Sequence, residues 1–332
     1  MGVKICNPCS KNNNDDDIII SQRNNTKIKN GDFLKQGNNH NFKLTEPEFT
    51  NLESTLKQKG QFLNENITQI LEEINPLVNQ INIPDEIKNQ YSIFSIYLPA
   101  IKFSDGEIYD GEWNINHQRN GYGISINRDG NIYKGLWEND NFGKYGAFFD
   151  KKGNYYIGEL VDGKANGKGE MLITEKMKFV GDFQNDLPYG KGVLENLKDK
   201  SIYTGDVING VKEGYGELKL IDGIIYEGGF KNDKFNGQGK ITFPNGRKYI
   251  GEFKNNKMNG EGVFSWEDGK NYEGMYVDNM KQGYGKLTLN EDKYYEGDWF
   301  NNKQHGDGVL YFNGKKTKAK FRFGKMISHN NE

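Results

Sequence analysis

The sequence predicts a mainly β protein, an elongated antiparallel meander sheet of tandem β-hairpin repeats. An N-terminal amphipathic helix and a disordered N-terminal tail precede it. Three observations predict this fold. A unit of aromatic-x-Gly-x-apolar, in most copies Tyr-x-Gly-x-aromatic followed by Gly-x-Gly, recurs nine times at a near-constant interval. The 332 residues include 42 glycines and 13% aromatics against only 34% hydrophobic content, which suits short ring-packed strands better than a helical bundle. Asp-Gly and Asn-Gly pairs punctuate the array as hairpin turns do.

The repeats come first, because a fixed period decides the architecture. They begin near 109, 133, 156, 179, 203, 226, 249, 272 and 295, and the array is expected over 96–325. Tyr109 and Trp113 frame the first unit, Tyr133 and Trp137 the second, Tyr156 the third, Phe179 and Phe183 the fourth. Tyr203 opens the fifth. Tyr226 with Phe230, Tyr249 with Phe253, Tyr272 with Tyr276, and Tyr295 with Trp299 frame the rest. Tyr133 to Tyr156 is an interval of 23 residues; two intervals, Tyr109 to Tyr133 and Phe179 to Tyr203, stretch to 24. Ile101-Lys-Phe103 and Ala319-Lys-Phe321 resemble half-units and are expected as terminal caps.

The physics of one unit follows from strand periodicity. Tyr, Gly and the second ring share parity, so they face one side of a strand. Glycine weakens a strand, so its recurrence implies that something lies close over the backbone. The expectation is that the rings lie over both glycines of Gly-x-Gly. A loop of about six residues is expected between the two strands. Asp105-Gly106, Asp129-Gly130, Asp222-Gly223, Asn245-Gly246, Asp268-Gly269 and Asn313-Gly314 are expected as two-residue hairpin turns. The second unit departs: it has Gly143 and Gly146 where positions 145 and 147 are expected, which predicts a bulge or bend there.

Before the array the pattern changes. Residues 1–44 are rich in Asn, Asp and Lys and predict a disordered tail. Residues 45–95 predict an amphipathic helical segment and connector. Leu52, Leu56, Leu63, Ile67, Ile70, Leu71, Ile74 and Leu77 form a helical stripe over 45–78, with Thr45/Glu48 or Thr50/Glu53 as capping boxes and Pro76 near its end. The stripe either packs on the sheet or receives a partner. Residues 326–332 are expected as a C-terminal tail.

The units resemble MORN repeats, whose motif is Tyr-x-Gly-x-(Trp/Phe) followed by Gly-x-Gly, over about two thirds of the chain. Junctophilins, radial-spoke head proteins, protozoan basal-complex proteins and plant phosphatidylinositol-4-phosphate kinases carry similar arrays. The resemblance implies a non-enzymatic scaffold with protein partners and, in some members, phosphoinositide binding. The kinases add a catalytic domain after the array. Here the array ends near Lys325, so kinase activity is not carried over.

Chemistry is not expected. The four histidines, His40, His117, His305 and His329, fall in tails or repeat loops, and the array has no cysteine. No cofactor, metal or small-molecule substrate is expected, and the net charge of −2 offers no field for nucleic acid. Glu112, Glu159, Asp182, Asp206, Glu252 and Asp298 share one repeat position. They form either an acidic column for a cation or basic partner, or a solvated face paired with Lys. Met1-Gly2 with Cys6 and Cys9 reads as an N-myristoylation site with adjacent palmitoylation sites. One myristoyl chain binds membrane with K of only about 10⁴ M⁻¹, and a second chain makes the anchor stable. The expected localisation is cytoplasmic, peripheral on a cytosol-facing membrane. The alternative is a structural component of a cilium, axoneme or cortical cytoskeleton, suggested by the radial-spoke resemblance.

Overall fold

The computed structural model describes residues 46–63, 67–74, 77–89 and 95–331. The chain divides into two compact units, Met1–Leu187 and Pro188–Glu332. The tail expected over 1–44, with Gly2, Cys6 and Cys9, lies outside the described residues.

In the first unit, consecutive strands pair antiparallel from Ile96–Phe103 through Ile108–Trp113, Arg119–Ile126, Ile132–Glu138, Asn141–Phe149, Tyr155–Val161, Lys164–Ile173 and Met177–Gln184. Register follows the glycines. Gly111 faces Gly123, and the row continues through Gly135, Gly146, Gly158, Gly169 and Gly181. The second unit repeats the plan, from Ile202–Ile208 to the final strand Lys325–Asn331. Its row runs from Gly205 and Gly216 to Gly297 and Gly308, and ends opposite Ala319. Ala319 and Phe321 are buried, as the half-unit cap requires.

The helical stripe is not one helix. Glu46–Lys59 ends at Gly60, and Gly60–Phe62 becomes a short strand on Ile101–Phe103. A Cβ at Gly60 would lie 2.5 Å from the Lys102 carbonyl oxygen, so only glycine permits this approach. Thr50 and Glu53 therefore sit inside the first helix, not at its cap. Ile67–Ile74, Leu77–Gln80 and Asp85–Lys88 follow. Ile67, Leu71, Val78 and Ile83 pack with Ala100, Ile126, Ile132, Ala147 and Phe149. The segment from Ile67 to Ile87 thus covers the face of the sheet opposite the repeat rings, so this part of the stripe packs on its own sheet, while Leu52 and Leu56 of the first helix are buried.

Three turn expectations are corrected. Except in the first unit, where residues 114–118 join Trp113 to Arg119, the six-residue loops are two-residue turns, and the strands run through them. Asn139 and Asp140 (φ 50° and 67°) join Glu138 to Asn141, and Asn232/Asp233, Asn255/Asn256 and Asn301/Asn302 do the same in later units. Asn and Asp tolerate the left-handed conformation that such turns demand. Conversely, Asp105-Gly106 is not a two-residue turn. The Gly106 amide bonds the Phe103 carbonyl, and the Phe103 amide bonds the Glu107 carbonyl, which closes three residues with only Gly106 left-handed. Asp129-Gly130, Asp222-Gly223, Asn245-Gly246 and Asp268-Gly269 follow this form, whereas Asn313-Gly314 is the two-residue turn expected. Finally, residues 326–331 are not a tail: Lys325–Asn331 pairs with Lys315–Arg322 after a left-handed Phe323-Gly324 turn.

The second unit is also in frame. Its paired glycine is Gly146, opposite Gly135, the same eleven-residue step as Gly158 to Gly169. The expected positions 145 and 147 came from the longer first unit, where Gly111 faces Gly123. The register shift beside Gly135 is no local defect, because a shift follows the strand glycine in the other units as well.

Candidate functional site

The repeating residues build a spine. Each tyrosine ring lies across two paired glycines: a Cβ at Gly239 would lie 2.5 Å from the Tyr226 hydroxyl, and one at Gly169 would lie 2.6 Å from the Tyr156 ring. The bulge after the strand glycine frees a carbonyl, and the buried phenol donates to it. Tyr109 thus bonds the Glu112 carbonyl (2.9 Å), Tyr133 that of Leu136 (2.6 Å), Tyr203 that of Asp206 (2.8 Å) and Tyr295 that of Asp298 (2.9 Å). Burial of the phenol is what makes this bond necessary. Phe179 fills the same place without a hydroxyl.

In the sixth to ninth units the second ring sits edge-on between two tyrosines. Tyr226 meets Phe230 and Phe253, Tyr249 meets Phe253 and Tyr276, and Tyr272 meets Tyr276 and Trp299, at centroid distances of 5.1–5.3 Å and near-perpendicular planes. Tyr295 extends this chain to Phe321, and Tyr203 begins it on Phe230. Aliphatic Leu160 and Val207 occupy the ring position in the third and fifth units and are equally buried. Tyr109, Trp113, Tyr133, Trp137, Tyr156, Phe179, Phe183, Tyr203, Tyr226, Phe230, Tyr249, Phe253, Tyr272, Tyr276, Tyr295 and Trp299 are buried. They hold the array together and are closed to a partner.

The first glycine of Gly-x-Gly does something else. Gly121, Gly167, Gly214, Gly260 and Gly306 have φ between 64° and 93°. None lies under a ring; each faces the acidic side chain of its own unit, Glu112, Glu159, Asp206, Glu252 or Asp298. Those carboxylates accept the next backbone amide: Lys168 to Glu159 (3.2 Å), Tyr215 to Asp206 (3.3 Å), Asp307 to Asp298 (3.2 Å). Lys168 also pairs with Asp182, and Lys191 with Asp206. The acidic row is therefore braced by backbone and lysine.

A further position escaped the sequence reading. In several units the second residue after the turn that joins the two strands covers an aromatic face. Phe235 stacks on Tyr226 at 3.7 Å, Phe142 tilts over Tyr133, Arg119 sits 4.1 Å from the Trp137 centroid, and Lys281 lies among Trp266, Tyr272 and Trp299. Its backbone is clasped by the next turn. The Asp186 amide bonds the Ala165 carbonyl, and the Asp186 carboxylate takes the Ala165 amide (2.8 Å). The same pair of bonds joins Arg119 to Asp140, Lys212 to Asp233, Phe235 to Asn256, Met258 to Asn279 and Lys281 to Asn302. The Asn or Asp two-residue turn was the available signal.

On the opposite face the units differ. In the first, burial pushes the Asp110 and Glu112 carboxyls up, against hydrogen bonds from Tyr97 and Ser95. Lys134 is buried there with its ammonium on the Val78 and Ile81 carbonyls (2.9 and 2.6 Å), and burial pulls its pKa down. In the second unit Tyr215, Ile250 and Tyr284 are exposed on that face, and the two phenols bond Glu227 and Glu296.

Among the described residues, no group of three or more His, Cys, Asp or Glu could hold a metal ion, and no helix is long and apolar enough to cross a membrane. His117 is partly buried at a left-handed turn position, His305 packs between Phe300 and Phe323, and His329 lies on the last strand. The three are not brought together with a nucleophile.

A family model described as MORN repeat matches residues 109–132, 156–173, 203–224, 226–246, 249–270, 272–290 and 295–316. The units beginning at Tyr133 and Phe179 are unmatched. They carry Gly143-Lys144 in place of the left-handed glycine, and phenylalanine in place of the buried phenol, respectively. The chain is 29% identical to Alsin of Homo sapiens over 203 residues, which is 54% of this chain and 12% of that protein. It is 30% identical to Alsin of Rattus norvegicus over 118 residues, 32% of this chain and 7% of that protein. The chain thus spans about an eighth of the human relative's length. Among solved structures, the TCP10 domain of Danio rerio CPAP, in complex with a STIL peptide, gives a TM-score of 0.37 at 13% identity, over 72% of this chain and 99% of that one. Virginiamycin B lyase from Staphylococcus aureus gives 0.14 at 14% identity, over 70% and 83%. Both TM-scores are too low for the likeness to bear on fold or function.

Proposed function

This chain belongs to the MORN-repeat family, and from that premise we propose that it is a non-enzymatic scaffold that binds protein partners and is held at a cytosol-facing membrane by acyl chains. The observation that carries the scaffold reading is the spine itself. Repeat after repeat, the recurring side chains are spent on one another: rings on glycines, phenols on carbonyls, acids on amides. What remains outward among the described residues is a regular surface of varied side chains, which suits docking.

The tether is proposed at Gly2, Cys6 and Cys9, on the sequence alone. Myristate on Gly2 and palmitate on either cysteine would supply the two chains that stable anchoring needs. Phosphoinositide binding by the array is the accompanying proposal for the membrane side.

Intact-mass measurement of the native N-terminus tests the tether directly. A mass increase for myristate, with a hydroxylamine-sensitive palmitate, is expected. Gly2→Ala should move the protein into the soluble fraction, and unchanged membrane flotation of that variant would remove the tether. Proximity labelling from the array, compared between wild type and Gly2→Ala, tests the scaffold: a common protein set lost on detachment is expected, and no enrichment from either would count against it.

A further inference from the structure

The turn-to-turn clasp is wholly missing at one place, whereas at Pro188 and Gln304 the Gly210 and Gly324 amides keep its backbone half. Between the second and third units it would join Phe142 to the Asp162-Gly163 turn, and no such hydrogen bond exists among the described residues. The cause is legible in three residues. Gly163 has no side chain to accept the Phe142 amide, as Asp186 accepts that of Ala165. Gly143 has none to accept the Asp162 amide, as Asn120 and Asn166 accept the amides of Asn139 and Asn185 in neighbouring units. Lys144 stands where every other unit has the left-handed glycine, and it is not left-handed.

The strands part as a result. Pairing between Asn141–Phe149 and Tyr155–Val161 stops at Tyr145 and Glu159, whereas in the next unit it runs on to Gly167 opposite Phe183. A notch of about 810 Å³ opens there, lined by Glu138, Phe142, Lys144, Glu159 and Asp162 among others. In a regular unit, the Phe142 amide and carbonyl would both be bound by the following turn.

We propose that this notch is a docking point for an extended, basic segment of a partner protein. Two features choose the occupant. The open amide and carbonyl of Phe142 match one donor–acceptor pair of an incoming main chain, the strand-addition mode of recognition. The rim sets Glu138, Glu159 and Asp162 against the single cation Lys144, so a segment bearing Arg or Lys is complementary and an acidic one is not. The inference rests on the scaffold reading and gives that scaffold one address.

The test uses the full chain and two capped synthetic peptides, Gly-Val-Arg-Val-Lys-Gly and its counterpart with Glu in place of Arg and Lys. Hydrogen–deuterium exchange should show the basic peptide slowing exchange at 139–146 and 160–166, with no effect of the acidic one. Glu138→Gln with Asp162→Asn should weaken binding roughly tenfold. Asn holds the left-handed turn at this position in other units, so that variant keeps the fold. Gly143→Asn, Lys144→Gly and Gly163→Asp together restore the regular unit, since Asp holds that left-handed position at Asp186 and Asp233, and should abolish binding by closing the notch. Equal protection by both peptides, protection elsewhere, or unchanged binding in the Glu138/Asp162 variant would overturn the proposal. A notch-closed chain that keeps its full set of proximity-labelled proteins would remove the docking point and leave the scaffold standing.

Discussion

The Tyr249 hydroxyl donates to the carbonyl of Glu252, three residues along the same strand, at 3.1 Å. The two groups meet because the strand bulges between Gly251 and Phe253, which turns that carbonyl out of the ladder. Bulge and phenol therefore depend on each other. Tyr249→Phe keeps the ring and strands the carbonyl, which should cost about 1–2 kcal/mol. Tyr249→Ala also removes the contacts with Phe253 and Tyr276 and should cost about 3–4 kcal/mol. Urea denaturation of both variants checks the order. A phenylalanine variant as damaged as the alanine one would mean the hydroxyl, not the ring, holds the spine.

The buried phenols also set an alkaline limit. Burial, with the Glu252 charge nearby, pushes the Tyr249 hydroxyl up to about 12, and burial with Asp298 does the same for Tyr295. An unfolded tyrosine titrates near 10. The folded pKa is the higher one, so above pH 10 the unfolded chain holds fewer protons and stability falls with rising pH. The contribution is fully present below about pH 10 and is lost toward about pH 12. Tyrosinate absorbance and β-sheet circular dichroism should change together in that window. Ring titration well below it, with the sheet intact, would show that the rings are solvated.

Much of this was legible in the sequence because the period forces it. Nine recurrences of aromatic-x-Gly-x-apolar fix strand parity, and parity alone puts Tyr249, Gly251 and Phe253 on one face. The turns were less legible. Asp-Gly reads as a two-residue turn, yet in most units it closes a three-residue one, because only its glycine is left-handed. Asn232-Asp233 and its equivalents read as loop, yet both residues turn left-handed and the pair closes tightly. Gly-x-Gly hid two unlike roles behind one residue type: space for a ring at the second glycine, backbone conformation at the first. The covering positions Arg119, Phe142, Phe235 and Lys281 share no chemistry, so only their offset from the preceding turn could mark them. The break at Gly60 depends on a long-range approach to Lys102, which a local helical pattern does not register.

Arg119 shows what a covering residue can hold. Its guanidinium reaches Glu107 at 2.7 Å and Asp140 at 3.3 Å while lying over the Trp137 ring, and its side chain is 11% exposed. Removing it leaves Glu107 half-buried with only Ser125 for a partner among the contacts described. Arg119→Met should cost about 3 kcal/mol, and Arg119→Lys less, since lysine keeps the charge but loses the planar fork. Adding Glu107→Gln to Arg119→Met should recover part of the loss, because it removes the stranded charge. A double variant no better than the single one would place the stabilisation in ring packing and not in the ion pair.

Three glycines separate the causes of glycine conservation within one array. Gly237 has φ +83° and open space around it, so Gly237→Ala tests backbone conformation alone and should cost about 1–2 kcal/mol. Gly260 has φ +77°, and a Cβ there would lie 2.5 Å from a Glu252 carboxylate oxygen. Glu252 is on a flexible stem and can swing aside, so Gly260→Ala should cost little more than Gly237→Ala. Gly262 has an ordinary strand φ, but its Cβ would strike the Tyr249 ring, which is fixed by its neighbours and by its bond to Glu252. Gly262→Ala should therefore be the worst of the three, above about 3 kcal/mol, at the upper end of overpacking costs. Pairing it with Tyr249→Ala supplies the decisive measurement. If the collision is the cause, the double variant is no less stable than Tyr249→Ala alone, because the space the ring vacates accepts the methyl group. Additive losses would mean that the glycine row serves the backbone and that the rings merely lie near it.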